Sequence, residues 1–168
     1  MSCDSFHALV HSLPVLNFPF TDAAVPSDGI YVVFERGERA HGGARIVRIG
    51  THTGEGQLPS RLRQHFLTPN KDRSIFRKNI GRALLARDND PFLADWEIDL
   101  TPRAARAAHV DRINMAKQQE IEDRVSAYMR DAFSVALIPV GGKEDRLRLE
   151  SRMISTVSLC PLCVPSAS

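Results

Sequence analysis

The chain has 168 residues, of which 43% are hydrophobic and 25% are charged, as in ordinary globular proteins. No apolar run approaches the roughly 20 residues that cross a bilayer, and the N-terminus lacks the basic and apolar regions of a secretion signal. Three cysteines do not make a disulfide framework. We therefore expect a cytoplasmic protein that is long enough to bury a core.

Charge is unevenly distributed along the chain, although the formal net charge is only +2. Residues 61–87 carry eight Lys or Arg and one acid, whereas residues 88–150 carry nine bases and thirteen acids. A basic block suits a phosphate backbone, but a solvated helix face rich in arginine has the same composition. The cations that we expect to contact DNA are Arg63, Arg73, Arg77 and Lys78.

The first part of the chain predicts an N-terminal arm and a β-hairpin. Residues 1–28 contain three prolines among scattered apolar residues, which indicates an arm with a short helix near residues 6–13. The β-branched and aromatic run GIYVVF predicts a strand over residues 29–34, and RIVRIG predicts a second strand over residues 45–50. The polar, Gly-rich segment 35–44 between them is expected to be a long loop.

Helices dominate the remainder. Leu58, Leu62 and Phe66 form an apolar stripe that predicts a helix over residues 57–66, and Ser74 is a suitable N-cap for the next helix. Residues 88–114 have a mixed pattern. The further elements are expected in this order: a helix over 74–87, a helix over 115–131, a strand over 133–138 and a last helix over 143–159.

The hairpin is expected to place two candidate catalytic residues together. A register centred between residues 39 and 40 would set Tyr31 opposite Arg48, with Cβ atoms about 5 Å apart. Hydrolysis of a phosphodiester needs a base for water, and a neighbouring guanidinium favours the phenolate form of a tyrosine. Arg48 is thus suited to activate Tyr31, although a tyrosine stacked on an arginine stem is also a common packing contact.

Arg61 and His65 are four residues apart on the predicted helix 57–66, so their side chains would lie on one face at the rim of the core. Arginine can hold a phosphate through two hydrogen bonds. Histidine can position water or carry a proton. A surface pair without a function is the alternative.

The last helix carries a carboxylate within its apolar face. Glu150 falls near the middle of an arc formed by Leu147, Leu149, Met153, Ile154 and Val157. A carboxylate there is costly unless it meets a cation or a metal. Two outcomes are open, namely a buried salt bridge to Arg146 one turn earlier or a ligand for Mg²⁺.

Cys160 and Cys163, in the sequence CPLC, have half the spacing of a zinc site. The chain has no second such pair, and Cys3 is distant in sequence. His52 or His109 could contribute in space, but nothing in the sequence requires it. We expect two packed or free thiols.

Taken in order, these residues resemble the pattern of the GIY-YIG nuclease family. The family has a GIY strand, a YIG strand, a helix with Arg-x-x-x-His and a later helix with Glu. Here the first strand contains GIY, and the second ends in RIG, with Arg48 in place of the YIG tyrosine. The helices match at Arg61, at His65 and at Glu150, so the resemblance covers about residues 29–158.

The resemblance implies an α+β fold with a three-stranded antiparallel sheet flanked by helices. It also implies a single domain over residues 29–168, with a helical insert at about 88–131 because the stretch before Glu150 is long for the family. The implied activity is a DNA endonuclease that depends on Mg²⁺ or Mn²⁺. Its general base would be Tyr31 and its metal ligand Glu150, while Arg61 and His65 would position the phosphate and the water.

Two features depart from the family pattern. Some restriction enzymes of the family carry a lysine at the position of Arg48, so a cation is compatible with activity. Several members place an Asn shortly after the Glu helix, whereas this chain has no Asn after Asn114. We expect either a missing final segment or a naturally short domain.

Three interpretations of the function follow. The first is a DNA endonuclease. The second is a catalytically inactive DNA-binding module of the same fold, and the third is a protein-interaction domain that uses the insert 88–131. Cutting of both strands from one active site per chain would favour a homodimer, but no pattern in the sequence predicts one.

Overall fold

The sheet has four strands in a computed structural model that describes residues 2–109 and 111–164. These strands are β1 (Val15–Asn17), β2 (Gly29–Ala40), β3 (Gly43–Gly50) and β4 (Phe133–Pro139). They pair antiparallel in the order β1-β4-β2-β3. The predicted α+β class is confirmed, with four strands rather than three. The additional strand β1 has three residues, which is too short for a period-two pattern to predict.

Seven α-helices lie in the described part of the chain. They are α1 (Cys3–His11), α2 (Leu58–Leu62), α3 (Ile75–Arg87), α4 (Leu93–Trp96), α5 (Arg103–His109), α6 (Met115–Ala132) and α7 (Lys143–Ser158). Ser74 caps α3 as predicted, since its Oγ accepts the backbone N–H of Arg77 at 3.2 Å. In the part of the chain that the structure describes, no helix combines the length and the apolar character needed to span a membrane.

The chain divides into two units. The sheet unit comprises residues 1–61 and 132–168, and the helical unit comprises residues 62–131. The division into an arm and one domain with an insert, inferred from the sequence, stays a prediction. Parts of its ranges, namely residues 1, 110 and 165–168, lie outside the described residues.

The core of the sheet unit lies on one face of β2. Ile30, Val32 and Phe34 are fully or almost fully buried and alternate along the strand, as a period of two requires. Residues from the neighbouring strands and from α1 and α7 complete this core: Phe6, Val10, Ile46, Ile49, Ala136 and Met153. One face of the hairpin therefore packs against α1 and α7, and its strand β2 pairs with β4.

The hairpin connection is a tight turn and not a loop. β2 continues to Ala40, and the chain turns at His41 and Gly42, whose φ angles are 50° and 73°. Positive φ at both central residues is typical of a type I′ turn. The predicted loop over residues 35–44 is wrong, because the polar segment ERGERA is the partly exposed end of β2.

The register of the hairpin also differs from the prediction. Tyr31 pairs with Gly50, and Val33 pairs with Arg48. The predicted Tyr31–Arg48 pair is wrong because the ladder shifts on both sides of Phe34 and the turn lies beyond the assumed centre. Since alternate residues share a face, Tyr31 and Arg48 still project from the same face of the sheet, offset by two residue pairs along the ladder.

The helix predicted over residues 57–66 consists of two segments. α2 ends at Leu62, and the following Arg63–Leu67 form a π-helical turn. A π-helical turn has wider hydrogen-bond spacing than an α-helix, so the rule that placed Arg61 and His65 on one face does not extend across it. The predicted apolar stripe is buried: Leu58, Leu62 and Phe66.

Candidate active site

Tyr31 lies across Gly50 in the sheet unit. A Cβ atom added at Gly50 would stand 2.2 Å from the hydroxyl oxygen of Tyr31 and 2.3 Å from its Cζ. The Tyr31 side chain is enclosed, with 1% of the residue exposed. The glycine of the RIG triplet is therefore needed for space, because any larger residue would displace the phenol.

Glu150 lies on α7 and is half-buried. Burial raises the pKa of its carboxyl, whereas a hydrogen bond from the backbone N–H of Thr51 and the positive charges of Arg48 and Arg61 act to lower that pKa. Thr51 directly follows β3, so the strand end holds the carboxylate. Three predicted site residues, Arg48, Arg61 and Glu150, are thus within electrostatic reach of one another in the sheet unit.

The apolar arc around Glu150 is narrower than the sequence predicts. Met153 is buried in the core, but Leu147 and Ile154 are 38% and 42% exposed. The carboxylate is therefore only partly enclosed, and solvent or a ligand can reach it.

Arg146 is bonded to groups other than Glu150. Its Nη1 lies 3.1 Å from Oδ1 of Asp28 and donates to the carbonyl of Gly141, and its Nη2 donates to the carbonyl of Gly54 at 3.3 Å. Arg146 is 2% exposed and is thus a buried structural residue. The salt bridge between Glu150 and Arg146, one of the two outcomes that the sequence left open, is not found among the described residues.

His65 belongs to the helical unit and is fully buried there. Its Nδ1 lies 2.6 Å from Oγ of Ser74, the residue that caps α3. Its ring meets Phe66 and Phe76 edge-on, with centroids 6.2 Å and 6.4 Å away. These contacts hold the imidazole in one orientation within its unit.

The four predicted DNA-binding cations have different surroundings within the helical unit. Arg63 and Arg73 are exposed. Lys78 is partly buried, and its Nζ donates to the carbonyl of Glu97 at 2.6 Å. Arg77 is 0% exposed, and its guanidinium donates to Glu122 at 2.8 Å and 3.1 Å. A buried structural pair therefore occupies the Arg77 side chain.

Much of the basic block is neutralised inside the helical unit. Arg82 Nε lies 2.5 Å from Glu97, and Arg87 Nε lies 3.0 Å from Asp88. Lys71 is buried with its Nζ 2.6 Å from Asp72. The excess positive charge that the linear sequence shows over residues 61–87 is thus partly matched by acids from the segment that follows.

A second group of polar side chains converges in the sheet unit, and the sequence indicates it only in part. One potential ligand atom from each of four residues lies within 4.8 Å of the others: Cys3, His41, Cys160 and Cys163. The sequence shows the Cys-x-x-Cys pair. A structural zinc site needs two more ligands, and this requirement could have prompted a search for them elsewhere in the chain. His52 is not among them, since its Nδ1 lies 2.6 Å from the carbonyl of Gly54.

Comparison with known proteins identifies one family. The GIY-YIG domain family matches residues 15–163. No significant match is found among curated proteins or among solved structures. The matched range contains the hairpin, β4 and α7, and with them Tyr31, Arg48 and Glu150. The chain belongs to the GIY-YIG domain family, which has a nuclease-type fold.

Proposed function

We propose that this protein is a metal-dependent DNA endonuclease that hydrolyses phosphodiester bonds. The observation that carries the proposal is the position of Glu150, a half-buried carboxylate beside Arg48 and Arg61 in a domain with a nuclease-type fold. Tyr31 is the proposed general base, and Glu150 is the proposed metal ligand.

The surroundings of Glu150 suit a divalent cation. Burial raises the pKa of its carboxyl, which means that the charged form lacks full solvation and gains from a nearby cation. Mg²⁺ commonly takes one or two protein carboxylates and completes its shell with water and substrate phosphate, and Mn²⁺ prefers the same oxygen ligands. Such an ion supplies charge stabilisation for the leaving oxygen during cleavage.

The residues of the chain itself have separable roles in this proposal. Tyr31 takes a proton from the attacking water, and its contact with Gly50 restricts where the hydroxyl lies. Arg61 and Arg48 hold the phosphate, since a guanidinium can bind two phosphate oxygens at once. His65 positions the water or carries a proton.

We propose Arg63, Arg73 and Lys78 as contacts to the DNA backbone. Arg63 and Arg73 are exposed, and Lys78 keeps part of its side chain accessible. Arg77 is left out of this surface because it is fully buried against Glu122. Phosphate contacts of this kind position DNA without reading its sequence.

A catalytically inactive DNA-binding module is a second candidate, and one observation favours it. Arg48 stands where the family pattern has a tyrosine, and its charge acts on Glu150 together with that of Arg61. Two guanidiniums could balance the carboxylate without any metal. This protein would then bind DNA in a salt-dependent manner and would not cut it.

A plasmid assay tests both candidates. Supercoiled plasmid is incubated with purified protein and Mg²⁺ or Mn²⁺, using the wild type, Glu150→Gln and the control Glu144→Gln, which changes an exposed carboxylate on the same helix. We expect the wild type and the control to nick or linearise the plasmid. Glu150→Gln should cut at least about 100-fold more slowly, because the loss of a metal ligand removes several kcal/mol of stabilisation.

Gel retardation of the same plasmid separates the outcomes. Retention of DNA binding by Glu150→Gln, with loss of cutting, supports the endonuclease. Cutting at the wild-type rate by this variant would contradict the role of Glu150. Retardation without cutting by all three proteins, with either metal, would favour the binding module.

A further inference from the structure

The four-residue cluster in the sheet unit joins segments that are far apart in sequence. Cys3 is the first residue of α1, His41 lies in the turn between β2 and β3, and Cys160 and Cys163 follow α7. The four potential ligand atoms all lie within 4.8 Å of one another. The cluster therefore links the N-terminal helix, the tip of the hairpin and the C-terminal turn.

Three distances in this cluster are close to those between ligands of one ion. Cys3 Sγ lies 3.5 Å from Cys163 Sγ, and Nε2 of His41 lies 3.3 Å from Cys160 Sγ and 3.4 Å from Cys163 Sγ. Tetrahedral zinc, with bonds of about 2.3 Å to sulfur and about 2.0 Å to nitrogen, separates sulfurs by about 3.8 Å and sulfur from nitrogen by about 3.5 Å. A disulfide would require sulfurs only about 2.05 Å apart.

A carboxylate orients His41 toward the sulfurs. Nδ1 of His41 lies 2.6 Å from Oδ1 of Asp4, and the His41 side chain is only 4% exposed. Because Nδ1–H donates to Asp4, the lone pair of Nε2 is directed at the sulfurs. A histidine that binds zinc through one nitrogen almost always donates its other N–H to a carboxylate, a carbonyl or water.

Other neighbours suit thiolate sulfurs. Nε2 of His7 lies 3.3 Å from Cys163 Sγ, so its N–H can donate to that sulfur. The ring of His7 also stacks on His41, with centroids 4.3 Å apart. The backbone N–H of Leu162 donates to the sulfur of Cys160, within the turn that CPLC forms. Donors directed at sulfur stabilise the charged form that binds a metal.

We propose that Cys3, His41, Cys160 and Cys163 bind one structural zinc ion. Three sulfurs and one imidazole form a donor set that selects zinc over Mg²⁺ or Ca²⁺, which prefer oxygen. Four protein ligands leave no open position for water or substrate, which is typical of a structural and not a catalytic site. Binding releases the thiol protons and couples the ion to the folding of the three segments.

This site is independent of the proposed nuclease activity, because none of its ligands belongs to the group around Glu150. The described cysteines are all within the cluster. A zinc ion here would link the tip of the hairpin to α1 and to the turn that follows α7.

Metal analysis of the full, untagged chain tests the proposal. Protein purified without chelators is passed through gel filtration and measured for zinc, and Co²⁺ is added to protein from which metal has been removed. We expect about one zinc per chain and a Co²⁺ spectrum with sulfur-to-metal charge-transfer bands. Absence of zinc, together with no such bands and three thiols that react freely in the folded protein, would overturn the proposal.

Several variants test which residues bind the ion, so the test does not rely on the correct folding of any single variant. Cys160→Ser with Cys163→Ser should abolish zinc retention. Asp4→Asn keeps all four ligands and should fold, but it should lose zinc to a competing chelator at about 10- to 100-fold lower chelator concentration. The control His109→Gln changes a histidine outside the cluster and should retain zinc as the wild type does. If Asp4→Asn kept zinc as well as the wild type does against the chelator, the proposed orientation of His41 by Asp4 would be contradicted.

Discussion

Glu122 and Glu150 are both partly or fully buried carboxylates on helices, but their surroundings differ. Glu122, on α6 in the helical unit, is 3% exposed and accepts hydrogen bonds from Arg77 and from the backbone N–H of Lys71. Glu150, in the sheet unit, is half-buried and has a raised pKa because of that burial. The first carboxylate is matched by an enclosed cation, whereas the second remains accessible.

This difference shows how a buried carboxylate should be interpreted. An enclosed ion pair with every hydrogen bond formed belongs to the architecture. A carboxylate whose charged form is disfavoured by burial, at a position that a ligand can reach, is a candidate for function. Two substitutions test this contrast, and a third tests the contact between Gly50 and Tyr31. They follow in order of decreasing expected loss of stability.

Glu122→Gln should cause the largest loss of stability. The substitution leaves the charge of Arg77 buried without its partner, and breaking a buried pair in this way costs about 3–5 kcal/mol. Urea unfolding of the wild type and the variant measures the difference. Glu120→Gln, an exposed position on the same helix, is the control and should unfold like the wild type. A loss below about 1 kcal/mol for Glu122→Gln would contradict the structural role of the pair.

Gly50→Ala should have an intermediate effect, confined to the sheet unit. The added Cβ would stand 2.2 Å from the Tyr31 hydroxyl, and overpacking of this kind costs about 1–3 kcal/mol. We also expect slower plasmid cutting, because the displaced phenol is the proposed base. Gly141→Ala is the control, since a Cβ there meets no atom within 4 Å. Thermal unfolding and cutting rates equal to those of the wild type would contradict the tight contact.

Glu150→Gln should have the smallest effect on stability. Burial already disfavours the charged carboxylate, so its neutral analogue should change the free energy of unfolding by less than about 1 kcal/mol. Urea unfolding measures this change in the same protein preparation that is used for the plasmid assay. A loss as large as that of Glu122→Gln would mean that Glu150 is also a structural partner, and the contrast would disappear.

Several elements were predictable because their signals are local. Ser74 caps α3, and the apolar stripe of the helix predicted over residues 57–66 is buried, as their residue types predict. The register of the hairpin was missed, because irregular pairing on both sides of Phe34 shifts it. Gly37, whose φ is 94°, lies in the second shifted stretch and is the residue type that signals a bulge. The buried state of Arg77 was missed for a different reason, since its partner Glu122 is 45 residues away.

The amino-acid sequence was enough to identify the family and the order of most elements. These features depend on short runs of residues whose backbone preferences are set locally. The enclosed cation beside Glu122 and the contact between Cys3 and Cys163, which are 160 residues apart, became visible in the folded chain alone. Such contacts depend on the packing of distant segments, which no local pattern encodes.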